Sequence, residues 1–137
     1  MNPFIRNTLA VIAGFAVGSV VNLGLITVGH AAVPLPEGAD PSTMEGLAEA
    51  MKDFTPAHFL FPFLAHAIGT LAGAFVAAKI AVSHQMKFAV GIGVFFLLGG
   101  ITAASMLGGP LWFTVCDLVL AYIPMGYLGG VLARGKS

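Results

Sequence analysis

FPFLAHAIGTLAGAF, Phe61 to Phe75, is apolar on both sides of a single histidine, His66. No charged residue lies nearer than Asp53 before it and Lys79 after it. A run of this length and polarity belongs in hydrocarbon, because a helix rises 1.5 Å per residue and about 20 apolar residues cross a bilayer core. Working outward, the run extends over Pro56–Ile80. Three more runs of similar length follow the same pattern, at about Asn7–Gly29, Met86–Leu107 and Leu111–Ala133.

The whole composition agrees. The 137 residues are 58% apolar and only 9% charged, where soluble domains carry about 25% charged residues. Backbone groups in lipid must bond internally, and no strands of alternating polarity are visible, so helices are the spanning form. The expectation is an all-α integral membrane protein: one domain, four transmembrane helices in an antiparallel bundle, membrane lipid as its solvent. The first run, preceded by Arg6 and followed by "GHAAVP", has the outline of a signal peptide. It exceeds the usual h-region of about 7–15 residues and is read as the first span. Net charge is zero, which argues against a nucleic-acid partner. The single cysteine, Cys116, lies inside the fourth span.

Charge sets the orientation. Arg6, Lys79, Lys87, Arg134 and Lys136 fall on one side of an alternating bundle and only Lys52 on the other. The positive-inside rule then places both termini in the cytoplasm. Trp112, Phe59, Phe61 and Phe63 fall near the opposite face, as an aromatic belt does. The chain as a whole resembles small bacterial inner-membrane proteins, which implies that membrane as its location. Between the first two spans lies an acidic stretch. There Asp40-Pro41 or Ser42…Glu45 offers a helix start, and Met44, Leu47, Met51 and Phe54 recur at helical spacing. A short amphipathic outer helix is expected at about 41–54, packed as a lid.

Membrane helices associate through close backbone contact at small residues. Gly14 and Gly18, Gly69 and Gly73, and Gly126 and Gly130 each have GxxxG spacing. On a continuous fourth helix Gly126 and Gly130 lie opposite Asp117. With Asp117 inward, the glycine face points outward and predicts a homo-oligomer or a membrane-protein partner. His66 shares the stripe of Gly69 and Gly73, so it faces protein. Helical rise puts it about 20 Å from Lys79. The same count brings Asn22, Thr102 and Asp117, one from each other span, into one polar layer with it. Polar groups at this depth are costly and face a partner or a cavity. Pro62 and Pro124 fall on the same stripes as His66 and Asp117, and each is expected to kink its helix.

Two functions follow from these residues. The first is a non-enzymatic membrane protein that assembles through its glycine faces. The alternative is a small transporter or channel with a polar site at His66, Asp117, Asn22 and Thr102. No spacing of His and Cys fits a metal site, although His30, His58 and His66 lie toward one side, and neither metal nor cofactor is expected. No nucleophile elbow or phosphate loop appears, so no catalytic residue is assigned.

Overall fold

The first helix begins where Asn2 turns its side chain on the chain itself: its Oδ1 accepts the Phe4 N–H at 2.7 Å, with Pro3 in the first turn. This is a standard start, since a proline there has no helical hydrogen bond to lose. In the computed structural model, which describes residues 1–135, this helix, α1, runs Pro3–Ala32. Then come α2 (Met44–Met51), α3 (Pro56–Ile80), α4 (Gln85–Leu107), α5 (Leu111–Leu120) and α6 (Ile123–Arg134). All elements are helical. Among the described residues four stretches are long and apolar enough to cross a membrane, the fourth being α5 and α6 together, Leu111–Arg134. This is a multi-pass membrane protein with one short helix between the first and second spans.

The outer helix is shorter than the expected 41–54. Thr43 takes the cap, its Oγ1 accepting the Gly46 N–H at 3.0 Å. Asp40 is used locally instead, holding the Ser42 N–H and hydroxyl. The fourth span is interrupted rather than kinked. The chain leaves helical form at Ala121–Tyr122, and Pro124 sits in the first turn of α6, where its missing N–H is harmless. Pro62, in contrast, lies inside the uninterrupted α3.

α3 is the centre of the bundle, packed on α1, α4 and α6. Gly14 and Gly18 of α1 meet Gly73 and Gly69 of α3 backbone to backbone. A Cβ on Gly73 would lie 2.5 Å from the Gly14 carbonyl oxygen, and one on Gly69 would lie 2.9 Å from that of Gly18. The antiparallel crossing is pinned at the N-terminal end. Arg6 Nε donates to the Ile80 carbonyl at 2.8 Å and Asn7 Oδ1 accepts the Val82 N–H at 2.9 Å. Arg6, Lys79, Lys87 and Arg134 thus share one end, the basic end; Lys136 lies outside the described residues.

The glycines of α6 do not face outward. A Cβ on Gly126 would lie 3.0 Å from the Ala89 carbonyl oxygen, and one on Gly130 would lie 2.7 Å from Met86 Sδ, both on α4. Gly129 fits against α3 at Leu71 and Ala74. The reason is that the fourth span has neighbours on both sides, with Asp117 facing α3 and Gly126 and Gly130 facing α4. The side opposite Asp117 is therefore α4 and not the outside of the bundle. The fourth span wedges between α3 and α4, and the expected self-association loses the face it rested on.

Candidate functional site

At the other end α2 forms a lid. Phe54, just beyond it, stacks on His58 with ring centroids 4.8 Å apart and meets Phe59 edge-on at 5.4 Å. His58 has both ring nitrogens engaged. Nδ1 accepts the Thr55 N–H at 2.9 Å, and Nε2 lies 3.0 Å from the Pro34 carbonyl oxygen, to which it donates. One imidazole thereby ties the first loop, the lid and the start of α3 together.

Beneath the lid, His66 Nδ1 lies 2.8 Å from Asp117 Oδ1. The other carboxylate oxygen, Oδ2, accepts the Tyr122 hydroxyl at 3.2 Å. The tyrosine and histidine rings stack at 5.7 Å. Asp117 is only 4% exposed, so a carboxylate here needs these partners. The break in the fourth span makes the tyrosine contact. Five residues along a continuous helix is about 140° around it, away from Asp117; the broken backbone turns Tyr122 back.

The chemistry of the pair follows from its atoms. A carboxylate only accepts, so Nδ1 carries the hydrogen and the tautomer is fixed. The second ring nitrogen, Nε2, has no protein partner among the described residues, and the His66 side chain remains 29% exposed. It is exposed to space: a cavity of about 410 Å³ between α1, α3, α4 and α5, which His66, Asp117 and Tyr122 help to line. Asn22, Ser19, Thr70 and Thr114 add polar groups to the same wall, and Met51 of α2 closes its top. A second cavity of about 250 Å³ lies under the lid, between His30, His58, Phe61 and Pro62, and His66 borders that one too.

Of the four residues of the expected polar layer, His66 and Asp117 are in direct contact and Asn22 lines their cavity. Thr102 does not join them. It is exposed on α4, and its hydroxyl donates to the Leu98 carbonyl one turn back, at 2.9 Å. Depth along a helix does not fix direction around it; the cavity face of α4 is Phe96, Gly99, Gly100 and Ala103. The residue missed was Tyr122. Its signal was the proline two positions on, which marks a break able to return Tyr122 to Asp117. His30 and His58 share the lid cavity with His66, but the nitrogens of His58 are both in use.

No family model, curated protein or solved structure matches the chain.

Proposed function

We propose that this chain is a non-enzymatic membrane protein that binds a small hydrogen-bonding molecule in the cavity beside His66. One observation carries the reading: a buried carboxylate holds an imidazole by Nδ1, leaving Nε2 without a partner among the described residues while the ring lines a partly open cavity. The remaining polar wall, an amide and three hydroxyls, supplies hydrogen bonds rather than a second acid or a thiol, which favours binding over catalysis.

Toward the basic end the bundle is shut by Ala74, Ala77, Ala78 and Ala89 with Ile92, all buried, so the cavity is a dead end and favours a binding site over an open channel. A transporter reading has one observation in its favour: a discontinuous spanning helix beside the polar site is a common transporter feature. By the positive-inside rule the lid end is external and both termini are cytoplasmic. Labelling Glu45→Cys from outside intact cells, in a Cys116→Ser background, tests that orientation.

The binding test uses protein with ¹⁵N-labelled histidine in lipid nanodiscs, with benzyl alcohol as the probe. A saturable shift of the His66 resonance, with His84 unmoved, is expected. The His66 signal, assigned by its loss in His66→Gln, staying fixed in folded protein would overturn the reading.

A further inference from the structure

The cavity has an open side as well as a top. Toward the basic end, α1 and α4 are in contact. Phe15 meets Phe95 edge-on at 5.2 Å and stacks on Phe96 at 5.8 Å. The Phe96 ring also lies over Gly18, where an added Cβ would meet it at 2.8 Å. One turn nearer the lid the two helices no longer close. On α4 this level carries Gly99, Gly100 and Ala103, facing Asn22 and Leu23 of α1. A Cβ on Gly99 would meet nothing within 4 Å. α5 and α6 pack on α3 and α4 and not on α1, so neither covers this side. Leu23 is 65% exposed at its edge. In a bilayer the gap opens into hydrocarbon, with the Phe96 ring as its floor and the His66–Asp117 pair at its back.

Resting on the binding reading above, we infer that the ligand is a membrane-dissolved alcohol, an apolar chain ending in one hydroxyl, which enters sideways between α1 and α4. The head group follows from the imidazole. With Nδ1 committed to Asp117, Nε2 is an acceptor when the ring is neutral and a donor when it is protonated. A hydroxyl suits both states, since it donates to the bare nitrogen and accepts from the N–H. A carbonyl suits only the protonated ring and an ammonium only the neutral one. A carboxylate would also bring a second negative charge toward Asp117, and any charged head is costly to carry through hydrocarbon. The chain follows from the opening: behind the head, the slot leads to lipid and its edges are Leu23, Gly99 and Ala103.

Farnesol and a diazirine-bearing farnesol analogue are the probes, with full-length protein in nanodiscs. Farnesol is expected to shift the His66 resonance. The analogue is expected to label Leu23 or Ala103, and unlabelled farnesol to compete. Gly99→Trp fills the slot and is expected to weaken farnesol binding by about ten-fold or more in protein that keeps its helical content. Ala103→Phe, which narrows the same opening from the next turn, should do likewise and stands in if the tryptophan variant does not fold. Farnesol that fails to bind where benzyl alcohol does, or that binds both variants as well as the parent, would overturn the inference and leave the binding site standing. Failure of benzyl alcohol itself would remove the site.

Discussion

Toward the basic end the bundle is made of the smallest side chains, and toward the lid of some of the largest. Below the level of His66 the buried residues are mostly glycine and alanine, with Thr70 and Ile92 the larger exceptions. Above it stand Phe59, Phe113, Trp112 and the Tyr122–Asp117–His66 group. The two halves solve one problem differently. Lipid gives helices no hydrophobic reason to associate, so they need either many close backbone contacts or specific polar bonds. The small-residue half takes the first route and leaves no room inside. The lid half takes the second, and large rings joined by a few directed bonds leave cavities between them. Rigidity and emptiness are thus separated along the membrane normal.

The largest expected effect breaks the closed half. Gly73→Leu puts a side chain where Gly14 already presents its carbonyl at 2.5 Å, and backbone on both sides cannot yield. A loss on the order of 5 kcal/mol is expected, the diagnostic end of single-substitution effects, read as failure to fold in a detergent unfolding assay. Gly24→Leu is the control, since a Cβ there meets nothing within 4 Å. Equal damage from both would show that glycine flexibility, not close packing, is what the helices need.

Next comes the polar group of the open half. Asp117→Ala strands His66 and the Tyr122 hydroxyl, at a cost of about 3–5 kcal/mol if the pair is ionic. His66→Ala strands the buried carboxylate at similar cost. The double variant should lose less than the sum, which a double-mutant cycle in thermal unfolding measures. Strict additivity would end the pairing. Tyr122→Phe removes one hydrogen bond and keeps the ring, and about 1 kcal/mol is expected.

These two halves were not equally legible from sequence. The spans were, because length and apolarity alone decide them, and the second matches the expected Pro56–Ile80. The glycine pairs of α1 and α3 were legible as packing faces, but their spacing did not say that the two would meet each other. The fourth span was not. Periodicity sets Gly126 and Gly130 opposite Asp117, but it cannot say that α4 covers that side. Thr102 shows the second limit. A threonine can satisfy its hydroxyl on its own helix, as it does at Leu98, and so need not face a polar layer. His66 and Asp117 cannot do this cheaply, and they are the pair that was found.

A smaller effect is expected at the lid. His58→Ala removes the bond to Pro34 and the stack on Phe54 but leaves both spanning contacts intact. Amide exchange over residues 44–54 should rise several-fold with little change in overall unfolding. If unfolding falls as far as in Asp117→Ala, the lid is part of the bundle's core rather than a cover on its cavities.

The smallest effect lies farthest from the packed half, in the loop before the lid, where structure rests on single bonds in water. Asp40 is fully exposed, and its carboxylate is held below the ordinary value of 3.8 by the Ser42 hydroxyl and N–H. Both bonds favour the ionised form, so the folded group is the stronger acid. The sign follows by linkage: the turn's stabilisation is complete above 3.8 and is lost as pH falls through the lower, folded value. The Ser42 amide resonance, followed downward from neutral pH, should therefore move with a midpoint below 3.8. Asp40→Asn keeps an acceptor without a titrating proton and should give a flat profile with the turn still formed. A midpoint at or above 3.8 would mean that the turn does not hold the carboxylate in solution. The start of the lid would then be set by the Thr43 cap alone.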